Sequence, residues 1–152
     1  MQVKELGHIV LYVADIDRSA QFYGDVLGWR RLEMPGGDNG ARVPVALFSS
    51  GRTHHELLLI EVGRDAQPVP RQRHLGLYHF GLKVGDTDDE LRAALARCRE
   101  RDVRVIGSSD HTVTHSLYIE DPDGNEIELY IDVPGVDWTA ENVMSPIKAL
   151  AL

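Results

Sequence analysis

The stretch GHIVLYVADIDRSAQFYGDVLGW, residues 7–29, contains the strand and helix that open the fold. Residues 6–13, LGHIVLYV, are rich in β-branched and aromatic side chains and stop at the polar ADID, the mark of a strand. Asp15 or Asp17 then caps a helix over RSAQFYGDVLG, with Ala20, Tyr23, Val26 and Leu27 at three and four spacing and Gly28 placed to end it. WRRLEM reads as a short strand, PGGDNGAR as a loop dense in turn formers, and VPVALFSS and HHELLLIEV as two further strands separated by SGRT. The order is βαβββ.

Residues 63–76, GRDAQPVPRQRHLG, have no periodicity and read as a linker, after which the pattern begins again. YHFGLKV is a strand. TDDELRAALARCRERD is a helix opened by a capping box of Thr87 and Glu90, with Leu91, Ala94, Leu95 and Cys98 as its buried stripe. VRVIG, SLYIE and NEIELYI supply three strands, the last two joined by the DPDGN turn. The strand histidine at position 8 recurs at position 79, an offset of 71 residues that marks an internal repeat. The expected fold is α+β, with two βαβββ modules forming a curved mixed sheet around a metal-binding cleft. Within a single domain of 152 residues, module one covers about 5–62, the linker 63–76, module two about 77–132 and a tail 133–152. The tail has no strong period and is expected to wrap the outside or a partner subunit.

Composition narrows the function. The net charge of −8 and scattered arginines disfavour a phosphate backbone, so nucleic acid is not an expected partner. No apolar run approaches the roughly 20 residues of a membrane helix, and MQVKELGHIV lacks the basic start and apolar middle of a signal peptide. With one cysteine, Cys98, no internal disulfide is available, and the expectation is a cytoplasmic protein.

Alternation places His8 with Leu6, Val10 and Tyr12 on one strand face, and His79 with Gly81 and Lys83 on the matching face of the second module. Glu128 shares a face with Glu126 and Tyr130, opposite Ile127, Leu129 and Ile131. A lone histidine in an apolar strand is more often a hydrogen-bonded core residue, and a lone acid in a final strand more often faces solvent. Repetition shifts that balance. Two imidazoles and one carboxylate form the arrangement that suits non-haem Fe(II) and leaves positions open, while Mn(II), Zn(II) or Ni(II) can use the same donors.

GHIVLYVADIDRSAQFYGDVLGW, YHFGLKV and DPDGNEIELY together resemble the vicinal oxygen chelate superfamily over about residues 5–132. That superfamily includes glyoxalase I, extradiol dioxygenases, fosfomycin resistance enzymes and bleomycin resistance proteins. The details are most similar to small catechol 2,3-dioxygenase-like members. The resemblance implies His8, His79 and Glu128 as metal ligands, and an aromatic diol and O2 as substrates. It implies His55 in THHELLLIEV as acid and base, Tyr118 as a hydrogen-bonding tyrosine ten residues before the carboxylate, and His111 in the loop SSDHTVTHS as an active-site histidine. A homodimer is the expected assembly. His54 and His55, adjacent in a strand, are expected on opposite faces, and His74 in the linker has no assigned role. Two other activities stay open: a Ni(II) or Zn(II) lyase or isomerase of the glyoxalase type, whose fourth ligand would have to come from Glu56, on the face opposite His55, or from Glu61, at the strand end, and a metal-free drug-binding protein.

Overall fold

A computed structural model of the chain describes residues 1–33, 43–140 and 147–152. The chain divides into two compact units, Met1–Val69 and Pro70–Leu152. The expected loop PGGDNGAR lies outside the described residues.

In the first unit, strands β1 (Ile9–Val13), β2 (Arg30–Leu32), β3 (Val45–Ser49) and β4 (Leu57–Glu61) form one mixed sheet in the order β1-β4-β3-β2. β1 runs parallel to β4, and the other pairings are antiparallel. Helix α1 (Ile16–Gln21) begins at Asp15, whose Oδ1 accepts the Arg18 N–H at 3.1 Å, so the first of the two candidate caps is the one used. The helix widens into a π-helical turn over Phe22–Val26, where the Leu27 N–H reaches back five residues to the Phe22 carbonyl at 3.3 Å, and it ends at Gly28 with φ +74°. Leu57 and Leu59 of β4 are fully buried with Phe48, Tyr23 and Val13, because β4 lies between β1 and β3 beneath α1.

The second unit has strands β5 (His79–Gly85), β6 (Val105–Asp110), β7 (Thr114–Glu120), β8 (Glu126–Asp132) and the short β9 (Lys148–Ala149), in the order β5-β8-β7-β6-β9. β5 and β8 are parallel, as β1 and β4 are in the first unit. Helix α2 (Asp88–Glu100) starts at Thr87, whose Oγ1 accepts the Glu90 N–H at 3.4 Å. The Glu90 carboxylate answers by accepting the Thr87 hydroxyl and the Asp86 N–H, each at 2.8 Å. Leu91, Leu95 and Cys98 are the buried stripe of α2 and pack toward β5, β7 and β8, over Ile127, Leu129 and Ile131. Truncating one such leucine to alanine costs about 2–5 kcal/mol.

The structure departs from the sequence reading at several points. The first strand begins at Ile9, so His8 stands just before the ladder and is exposed. Most of SSDHTVTHS is strand, not loop: β6 runs through Ser108–Asp110 and β7 starts at Thr114, which leaves a hairpin tip of His111, Thr112 and Val113. His115 is therefore a strand residue. The end of the tail is also structured, since β9 pairs antiparallel with β6 and the Ser108 hydroxyl donates to the Leu150 carbonyl at 2.7 Å.

Candidate functional site

In the second unit, the parallel register sets His79 beside Glu126 and Gly81 beside Glu128, and the antiparallel register sets Tyr118 opposite Glu128. The period of two puts all these side chains, with Ser116 and Tyr130, on the face away from α2. His79 Nε2 lies 3.3 Å from Glu128 Oε2. Two donors held at about 2.1 Å by one ion in neighbouring coordination positions stand about 3.0–3.4 Å apart, so the pair fits a shared divalent cation. The other ring nitrogen, Nδ1, is 3.4 Å from Glu126 Oε1, within ion-pair reach but without hydrogen-bond geometry, and it is buried with no partner. A carboxylate behind the second nitrogen of a ligating histidine is the usual way such a ring is oriented.

Glu128 Oε1 accepts the Ser116 hydroxyl at 2.6 Å and the Tyr118 hydroxyl at 3.3 Å. His111 Nε2 is 2.8 Å from the same phenol oxygen. Because a phenol has one proton and an ionised carboxylate only accepts, satisfying both contacts requires His111 to donate from Nε2 to Tyr118 and Tyr118 to donate to Glu128. Burial first, then the Glu128 charge, pushes the Tyr118 hydroxyl up to about 12. Gly81 lies under this group. A methyl added there would sit 3.3 Å from the Tyr130 ring and 3.6 Å from Glu128 Oε2, so the missing side chain is the space that the carboxylate occupies.

The hairpin tip that carries His111 is held by its own backbone. The His111 N–H donates to the Thr114 carbonyl at 2.9 Å, and Asp110 Oδ1 accepts the Thr112 N–H at 2.7 Å. Thr112 has φ +73°, a strained conformation for a β-branched residue.

In the first unit, His8 and His55 are neighbours with ring centroids 4.7 Å apart, and His55 and His54 face each other with Nδ1 atoms 2.7 Å apart. The expectation that His54 and His55 point to opposite faces is overturned, because β4 begins only at Leu57 and the two histidines lie in the bend before it. One Nδ1 must donate and the other accept. Burial, followed by the nearby His54 and His8, holds His55 below the ordinary histidine value, which favours the neutral ring.

Arg52 anchors this end of the unit. Its guanidinium donates to the carbonyls of Leu6 and Gly7 at 3.3 and 3.2 Å and pairs with Glu5 and Glu56, fixing the backbone that leads into His8. Glu56 is further occupied by the Ser50 N–H and hydroxyl, and Glu61 Oε2 accepts the Ile16 N–H at 2.8 Å to cap α1. Within neither unit, among the described residues, do three His, Cys, Asp or Glu side chains form a group that could hold a metal. His79 and Glu128 supply two donors.

Residues 5–129 match the family model described as Glyoxalase/Bleomycin resistance protein/Dioxygenase superfamily, and the chain belongs to that superfamily. It is 38% identical over 133 residues to a catechol-2,3-dioxygenase of Bacillus subtilis (strain 168), covering 88% of this chain and 43% of that protein. The chain thus spans less than half the length of this relative. It is 32% identical to a probable lactoylglutathione lyase of Synechocystis sp. (strain ATCC 27184 / PCC 6803 / Kazusa), covering 82% of this chain and 92% of the lyase. Among solved structures, a glyoxalase/dioxygenase from Nostoc punctiforme matches with a TM-score of 0.66 at 25% identity, over 85% of this chain and 91% of that one. No helix among the described residues is long and apolar enough to cross a membrane.

Ser116 is absent from the sequence reading, which names Glu126 and His54 only as neighbours of Glu128 and His55, without a role. Ser116 lies two residues from Tyr118 on the same strand face, so alternation alone could have found it.

Proposed function

We propose that the chain is an Fe(II)-dependent extradiol dioxygenase that opens a catechol-type ring with O2, its metal held by His8, His79 and Glu128. The observation that carries this reading is the 3.3 Å approach of His79 Nε2 to Glu128 Oε2, with Tyr118 and His111 linked behind the carboxylate. The identity to a catechol-2,3-dioxygenase supports the same substrate class. Two histidines and a carboxylate suit Fe(II), and the bound ion supplies Lewis-acid activation of the diol and an electron path to dioxygen.

His55, held neutral, accepts a hydroxyl proton from the diol and later returns it, a contribution typically worth about 10²–10⁴ in rate. Tyr118 keeps its proton at working pH and, when the diol binds, turns it from its long 3.3 Å contact with Glu128 to a substrate oxygen. His111 holds the phenol in place through Nε2.

The lyase reading has one observation in its favour, the near-complete coverage of the Synechocystis protein. Against it stand Glu56 and Glu61, the carboxylates from which a fourth ligand would come, each committed to backbone hydrogen bonds. A metal-free binder has no need of two donors in facing register with a serine and a tyrosine behind the carboxylate.

Anaerobic reconstitution with Fe(II), then addition of catechol and O2, is expected to give oxygen uptake and the yellow ring-fission product. Iron loading without uptake on any catechol tested, together with isomerase turnover by the Ni(II) or Zn(II) form, would assign the lyase activity instead.

A further inference from the structure

We propose that Ser116 is a positioning residue that makes Glu128 a one-oxygen ligand, an inference that rests on the metal-site reading above. Ser116 is fully buried in β7, diagonal across the ladder from Glu128, since Tyr118 lies directly opposite Glu128 and Ser116 opposite Tyr130. Its hydroxyl donates to Oε1 at 2.6 Å, the length of a charge-assisted O–H···O⁻ bond. The Tyr118 contact to the same oxygen is longer, 3.3 Å. Both donors therefore engage Oε1, and Oε2 is the oxygen turned toward His79 Nε2.

The terminal torsion of a glutamate is broad and roughly two-fold, so the strand backbone does not choose which oxygen faces the histidine. Ser116 makes that choice. Without its hydroxyl, Oε1 keeps one weak donor, and both oxygens become free to approach the ion. Packing alone does not call for a hydroxyl here, because alanine would fill nearly the same buried volume. The consequence is specific to coordination: losing the hydroxyl weakens and rearranges metal binding more than it weakens the fold.

The test compares the wild type, Ser116→Ala and Glu128→Ala by anaerobic titration with Fe(II) alone and by the visible absorption of the Co(II) form, with the melting temperature of the metal-free protein measured alongside. The expected result is an Fe(II) Kd raised about 10- to 100-fold in Ser116→Ala, altered Co(II) band positions or intensities, and a nearly unchanged metal-free melting temperature. Should Ser116→Ala fail to fold, Ser116→Cys keeps the size with a weaker donor and is expected to show a smaller rise in Kd. Wild-type Kd and Co(II) bands in the serine variant, with binding lost in Glu128→Ala, would overturn the role of Ser116 and leave the metal site standing. No Fe(II) binding by the wild type would overturn the metal-site reading and this inference with it.

Discussion

Removing the Asp121 carboxylate should loosen the strand that carries Glu128. Asp121 is 5% exposed and holds the DPDGN turn. Its Oδ1 accepts the N–H groups of Asp123 and Asn125 at 2.9 and 2.8 Å, and its Oδ2 accepts the Asn125 side-chain amide at 2.9 Å. The turn sets where β8 begins against β7, and one residue of slip would carry Glu128 to the opposite face. A hydrogen bond to a charged group is worth about 1.5–3 kcal/mol; with three sharing one carboxylate at a partly solvated turn, Asp121→Ala should cost about 2–4 kcal/mol in all. At a urea slope of about 2 kcal/mol/M, the unfolding midpoint falls by about 1–2 M. Equilibrium unfolding followed by circular dichroism measures this directly, with Asp121→Asn, which keeps Oδ1, expected to recover part of the loss. An alanine variant within about 0.3 M of the wild type, on the same slope, would refute the reasoning.

Further outcomes follow from the site. His55→Ala should leave Fe(II) affinity near wild type while lowering kcat about 10²–10⁴-fold, and equal loss of both would remove His55 from its assigned role. Tyr118 should ionise late: its ordinary value is 10.0 and the fold pushes it up to about 12. The near-ultraviolet tyrosinate titration of the wild type minus that of Tyr118→Phe should therefore show a chromophore ionising well above 10.0, at about 12. Because the folded state holds this proton more tightly than the unfolded chain, the linked stability is complete below pH 10.0 and is lost as pH rises toward about 12. Gly81→Val fills the space beside Tyr130 and Glu128 and should weaken Fe(II) binding at least about tenfold, the equivalent of about 1.4 kcal/mol of overpacking.

Much of this was legible in the sequence because it depended on periods. Alternation in HFGLKVG and EIELYID set His79 and Glu128 each opposite the apolar residues of its own strand, the β5–β8 register then joined the two faces, and the TDDE capping box put the start of α2 where the structure has it. Where polar residues form strands, periodicity carries no signal. Ser108–Asp110 and Thr114–Ser116 have no apolar alternation, and their order comes from cross-strand pairing with one another and, for β6, with β9. His54 and His55 escape alternation for a different cause. The β4 ladder is set by burial of Leu57 and Leu59, and the polar THHE before it is bent by the Glu56 contacts with Ser50 and Arg52. Period-two logic does not extend into a bend. The π-helical turn after α1 has no sequence signature beyond the Gly24 and Gly28 that permit it.

Fe(II) binding measured anaerobically on the wild type and on His8→Ala, His79→Ala and Glu128→Ala tests the proposed site most directly. The expected result is one ion per chain in the wild type, with binding lost or severely weakened in each of the three variants. Wild-type affinity retained by any of them, or no saturable binding by the intact chain, would contradict a site built from these side chains.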